Sequence, residues 1–209
     1  MKQVLLYALC AVIGYALGCV STGVIVSKLY GRIDIRNYGS GNAGLTNAYR
    51  TMGAKKTLFV LLGDIAKGAA AVSVGWALGG PVGKLAAGIF VILGHMFPLY
   101  FGFKGGKAVA VTAGIGLYMD WRLFLICIGI YLLAFLIKKT ASIASLSGVT
   151  FMPITMLILG GFSVSRYVVA IAAVAFVWIM HWPNLVRLAH HEEKAFAVKK
   201  AENAAKTEK

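Results

Sequence analysis

The chain is predicted to be an all-α bundle of about seven membrane-spanning helices, and three observations predict it. Hydrophobic residues make up 59% of the 209 and charged ones only 13%, at a mean hydropathy of +0.80; no water-soluble domain of this length carries such a surface. The apolar residues fall into runs long enough to cross a bilayer, where only a helix can satisfy its own backbone. Lysine and arginine collect in alternate gaps between those runs.

The runs are read at residues 4–27, 57–79, 82–101, 108–119, 121–137, 142–159 and 165–182. The first continues past Cys19 to Ser27, which favours a retained helix over a cleaved leader. The second and third are separated only by Gly80 and Pro81. The fourth is too short to span untilted, so it is expected to begin inside the Lys104–Lys107 loop or to pass only partway. Seven crossings put the clusters Lys28, Arg32, Arg36, Arg50, Lys55 and Lys56, then Lys104 and Lys107, then Lys138 and Lys139, and the tail from Arg187 onward on one side. The positive-inside rule makes that side cytoplasmic, with the N-terminus outside and the C-terminus inside. Nothing resembling a soluble insertion interrupts residues 1–209, so one domain is expected, with a flexible basic tail from about residue 190.

Much of the formal charge of +14 is read as topology and attraction to anionic lipid headgroups, without nucleic acid as a partner. Cys10, Cys19 and Cys127 lie inside apolar runs without paired spacing, and are expected to be packing residues. The acids and histidines lack convergent ligand spacing, so neither a metal nor a cofactor is expected. Gly14 with Gly18, and Gly75 with Gly79, suit close packing of helices within the chain.

Three polar islands interrupt this pattern. In "RNYGSGNAGLTNAYR", Gly39, Gly41 and Gly44 allow tight turns in which amide N–H groups converge on one anion. Ser40, Asn42, Thr46 and Asn47 add neutral donors, and Arg36 and Arg50 forked charge suited to phosphate. In "FGFKGGKAVA", Lys104 and Lys107 flank two glycines at a helix entrance, where free N–H groups already favour an anion. In "HWPNLVRLAHHEEK", His181 and Asn184 share a helical face, Glu193 follows, and Ser142 adds a hydroxyl from another segment on the same side. Pro183 disturbs that helix and so the relation of His181 to Asn184. Asp64 and Lys67 stand one turn apart inside an apolar run, either a functional pair or a structural ion pair; His95 reads as packing or support for the cradle. A phosphate or organic-anion transporter is the alternative, although its site belongs near the midplane, where these islands are not.

Together "DIRNYGSGNAGLTNAYR", "FGFKGGKAVA" and "HWPNLVRL" with its following glutamate resemble the three signature motifs of the bacterial acyl-phosphate-dependent glycerol-3-phosphate acyltransferases, the PlsY family; "GDIAKG" and "LGHMFP" are similar to it as well. Gly18–Cys19 departs from the Gly-Ser pair that often ends the first helix there. The resemblance implies transfer of a fatty acyl group from acyl phosphate to the first hydroxyl of glycerol 3-phosphate at the cytoplasmic face of a bacterial inner membrane, and functional coupling to an acyl-phosphate synthase. It implies that Gly39, Ser40, Gly41, Asn42, Thr46 and Asn47 hold the acyl phosphate. Arg50, Lys104, Ser142, His181 and Asn184 would bind and orient glycerol 3-phosphate, with Lys104, Ser142, His181 and Asn184 as the catalytic set. Arg36, Lys107 and Glu193 complete the substrate-binding residues.

Overall fold

In a computed structural model, which describes residues 1–160 and 163–193, all regular structure among the described residues is helical. The basic tail from residue 194 onward lies outside them.

The first run is two helices and not one. Helix α1 (Lys2–Cys19) stops where Val20 turns extended, and α2 (Thr22–Gly31) resumes two residues later. After a polar loop, α3 (Leu45–Met52) is short and amphipathic. Helix α4 (Ala54–Met96) is a hairpin: Gly79 and Gly80 leave helical geometry immediately before Pro81. A side chain on Gly75 would collide with the backbone of Gly83 and with Ala87, although a straight helix would hold residues 75 and 83 about 12 Å apart. The two arms answer to the predicted runs, except that the second ends at Met96 and not at residue 101. Pro98 disfavours helical geometry in Phe97, and apart from one turn at Leu99–Phe101 the chain stays irregular until α5 (Val109–Met119).

Helix α6 (Trp121–Lys138) starts directly behind α5, with the Asp120 carboxylate accepting the Arg122 N–H at 2.8 Å. The sixth run divides at Phe151 into α7 (Ala141–Thr150) and α8 (Met152–Ile158), with Pro153 in the first turn of α8. The last helix, α9 (Val164–Ala189), runs through Pro183 and beyond the predicted end. Five stretches are long and apolar enough to cross a membrane. One of them is the folded α4, and short α5 adds another apolar segment, so seven apolar segments are present among the described residues.

Lipid tails are as apolar as leucine, so helix association here rests on close backbone approach. A Cβ on Gly14 would strike the Ala87 backbone, and one on Gly18 those of Val91 and Gly94; α1 and α4 therefore pack at their glycines. The core lies between the α4 arms, α5 and α9, with Val72, Val91, Ile92, Val111, Ile115 and Val169 fully buried. Helix α6 fully buries only Leu123, with Phe124, Cys127, Ile128 and Tyr131 half-buried toward α5 and α7.

Helix α5 is about 16 Å long and α6 about 27 Å.

Candidate active site

The first island folds around one side chain. Asn47, at the start of α3, is buried; its Oδ1 accepts the Ser40 N–H at 2.9 Å, and its Nδ2 donates to the carbonyls of Ile35 (3.0 Å), Tyr38 (3.0 Å) and Asn42 (2.9 Å). Gly39 and Gly41 take positive φ of 61° and 72°, which an L side chain tolerates poorly. The Asn42 Oδ1 accepts the Gly44 N–H at 2.8 Å. The Asn47 amide, read from sequence as an outward donor, is thus spent inside the loop. The hydroxyls of Ser40 and Thr46 have no hydrogen-bond partner among the described residues.

Arg36 is paired with an acid. Its Nε and Nη2 meet the Asp34 carboxylate at 2.9 and 2.7 Å. The guanidinium, through its hydrogen bonds first, holds the Asp34 carboxyl down at about 2, against the opposing effect of burial, so the pair stays ionised at neutral pH. The remaining fork donates to the Phe101 carbonyl and lies 5.8 Å over the Phe101 ring. That bond joins the first island to the second. A further bond joins them, from the Ala43 N–H to the Gly105 carbonyl at 3.4 Å.

The second island is seated on the end of α4: the Gly105 and Gly106 N–H groups donate to the carbonyls of Met96 (3.2 Å) and His95 (3.0 Å). Lys104 is exposed, and its ammonium has no hydrogen-bond partner among the described residues. Lys107 is half-buried and donates to Asn184 Oδ1 on α9. Burial pushes the Lys107 ammonium down to about 8; the charges of Arg187 and Arg50 act the same way, while Glu193 opposes them.

The third island completes a network. Glu193 Oε1 accepts from Asn184 Nδ2 at 2.5 Å and from the Ser142 hydroxyl at 3.1 Å; its Oε2 accepts from Arg187 Nε at 2.7 Å. Burial would raise the Glu193 pKa, but the hydrogen bonds from Asn184 and Arg187, the Arg187 charge and the Ser142 hydroxyl outweigh it and hold the carboxyl below its usual range. His181 is buried and donates from Nδ1 to the Val177 carbonyl at 2.8 Å, because a carbonyl only accepts. Its Nε2 therefore carries the lone pair. Helix α9 passes through Pro183 without losing these residues, since both His181 and Asn184 are buried.

Lys107, Asn184, Ser142 and Glu193 are thus in direct contact, and the loops holding Arg36, Ser40, Asn42 and Lys104 are bonded to one another at the same end of the bundle. Beside them, α5, α6 and α7 line a half-open apolar slot with a cavity volume of about 70 Å³, running from Val109 and Ser145 to Gly116, Leu123 and Met152. The buried Thr112 hydroxyl on its wall has no hydrogen-bond partner among the described residues. No sequence signal marks that slot, because apolar side chains are everywhere in this chain. The sequence sign of the part played by Arg187 is that it follows Asn184 by three residues, on the same helical face.

Residues 8–191 match the family described as Glycerol-3-phosphate acyltransferase. A glycerol-3-phosphate acyltransferase of Synechococcus sp. (strain JA-3-3Ab) is 39% identical over 195 residues, covering 93% of this chain and 96% of the relative. One of Bacillus subtilis (strain 168) is 40% identical over 142 residues, 68% of this chain and 74% of the relative. The fold is similar to crystal structures of PlsY (YgiH), an integral membrane glycerol 3-phosphate acyltransferase. Its glycerol 3-phosphate form has a TM-score of 0.85 at 31% identity, covering 91% of this chain and 96% of that one. Its lysophosphatidic acid form has a TM-score of 0.84 at 30% identity, covering 91% and 95%. The chain belongs to the glycerol-3-phosphate acyltransferase family.

Proposed function

We propose that this pocket transfers a fatty acyl group from acyl phosphate to the sn-1 hydroxyl of glycerol 3-phosphate, giving lysophosphatidic acid and inorganic phosphate. The observation that carries the reading is the junction of two glycine-built loops, tied by the Ala43–Gly105 and Arg36–Phe101 bonds, with a cationic network beside an apolar slot. Two phosphorylated reactants need two anion cradles, and one of them needs a place for its chain.

In this reading Gly39, Ser40, Gly41, Asn42 and Thr46 hold the acyl phosphate through backbone N–H groups and hydroxyls, with Asn47 and Arg36 bracing the loops. Arg50, Lys104 and Lys107 bind glycerol 3-phosphate. Ser142, Asn184 and Glu193 fix Lys107, and His181 offers Nε2 to the reacting hydroxyl. The hydroxyl oxygen attacks the acyl carbon, the bond to the phosphate oxygen breaks, and the hydroxyl proton passes to the departing phosphate. Most of the rate then comes from positioning and electrostatic stabilisation, with His181 orienting the hydroxyl. The whole chain acts as one membrane unit, its site at the cytoplasmic face of a bacterial inner membrane, supplied by an acyl-phosphate synthase. The excess of lysine and arginine at that end supports the orientation.

Purified protein given both substrates should release phosphate only when both are present. Counterflow of phosphate across liposomes without acyl product would instead identify a transporter. His181→Ala should raise the KM for glycerol 3-phosphate and leave turnover at saturation measurable; if turnover vanished while glycerol 3-phosphate still bound normally, His181 would be the proton acceptor.

The acyl chain is assigned to the α5–α6–α7 slot. A Cβ on Gly116 would have only the Met152 methyl nearby, at 3.6 Å, so a larger side chain has room and projects into the slot. Gly116→Leu should shift the preferred donor toward shorter chains by about 15- to 60-fold in relative kcat/KM, from the loss of about two to three buried methylenes. An unchanged chain-length profile with normal turnover would place the chain elsewhere.

A further inference from the structure

A buried ionic cluster that the reaction does not use lies directly beneath the anion loops. Lys67 Nζ lies 2.9 Å from Asp64 Oδ1, and donates to the Val20 carbonyl at 2.7 Å and the Gly18 carbonyl at 3.3 Å. It stands 2.9 Å from His95 Nδ1, and the Thr22 hydroxyl donates to Asp64 Oδ1 at 2.6 Å. Asp64 is 1% exposed and Lys67 6%, a costly place for charge in a membrane-spanning segment. The cluster sits where α1 breaks into α2, so Lys67 occupies carbonyls that the break leaves free.

An ammonium only donates, so His95 Nδ1 accepts and its ring proton is on Nε2. The Nε2 edge fills the space where a side chain on Gly106 would go. The His95 carbonyl holds the Gly106 N–H, the Met96 carbonyl holds the Gly105 N–H, and the Gly105 carbonyl holds the Ala43 N–H. A continuous line of contacts therefore runs from Lys67 through the His95 ring and backbone to both glycine loops.

We infer that Lys67, paired with Asp64, is a positioning residue for the acyl transfer: it locks the His95 ring beneath Gly106 and thereby seats both anion loops at one height. The inference rests on the reading of those loops as substrate cradles. Because one loop hangs from the other through Ala43 and Gly105, loosening the ring disturbs both substrates together.

The test compares wild-type protein with the double variant Asp64→Asn/Lys67→Met, which removes both charges without stranding either, and with His95→Asn, which leaves the ion pair intact if the double variant does not fold. Each is purified in the same detergent and read by KM for both substrates, kcat, and backbone hydrogen exchange over residues 99–108. KM for glycerol 3-phosphate and for acyl phosphate should both rise about 10- to 100-fold, with kcat changing less and exchange accelerating at Gly105 and Gly106. KM values and loop exchange at wild-type levels in a folded variant overturn the inference, as does a fall in kcat alone. If the wild-type protein itself shows no turnover, the acyl-transfer reading fails, while the exchange measurement still decides whether Lys67 seats the loop.

Discussion

Lys107→Met is expected to lower kcat/KM for glycerol 3-phosphate by about 10²- to 10³-fold, the usual effect of deleting one charged stabilising group from a desolvated site. Lys107 joins the second glycine loop to α9 by a direct hydrogen bond, through Asn184 Oδ1. Its loss removes a cation and also frees Asn184, whose other side holds Glu193. The sign of the pH effect follows from its environment. Burial first, then the Arg187 and Arg50 charges, bring the ammonium down to about 8. The cationic form that binds phosphate is present below that pH and is lost as pH rises through it. Wild-type kcat/KM, which reports the free enzyme, should therefore fall above about pH 8. In Lys107→Arg the guanidinium keeps its charge, and that alkaline fall should disappear even though the absolute rate drops. A wild-type profile flat through this range would remove Lys107 from substrate binding.

Asn47→Ala is expected to cost about 2–4 kcal/mol of local stability, because one buried amide braces one N–H and three carbonyls, and its removal leaves the Ser40 N–H and the Asn42 carbonyl without a partner among the described residues. Alanine favours the helix more than asparagine does, so the loss falls on the 35–44 loop and not on α3. Turnover should fall with it by about 10²-fold, since the cradle's geometry is what the amide maintains. Asn47→Asp should be at least as damaging: it keeps an acceptor for Ser40 but turns a second oxygen toward carbonyls that need a donor. Thermal melting and turnover measured together check this ordering, and an active, normally stable Asn47→Asp protein would contradict it.

These two residues show how differently the site was legible. Lys107 could be read from its place beside two glycines at a helix start, because a cation there is informative whatever the rest of the chain does. Asn47 reads from the sequence as a neutral donor, since its position suggests an outward donor as readily as an internal brace. Only the folded loop brings the carbonyls of Ile35, Tyr38 and Asn42 around it. Arg36 poses the same difficulty, since the Phe101 carbonyl that it binds lies far along the chain. Asp64 and Lys67 were visible as an intramembrane pair, yet neither His95 nor the open carbonyls of Gly18 and Val20 could be attached to them without the α4 hairpin and its contact with α1.

Run length and charge clusters by themselves determined an all-helical membrane bundle of seven apolar segments and the polar islands between them, because lipid leaves a backbone few options and local chemistry reports it. Tertiary structure decided where helices break inside uniform apolar runs, at Val20 and Phe151, which side chains brace the loops, and where an apolar slot opens. Those outcomes depend on partners distant in sequence. A buried hydrogen bond or an empty slot belongs to the pair or the group of helices that makes it, and no single segment carries its signature.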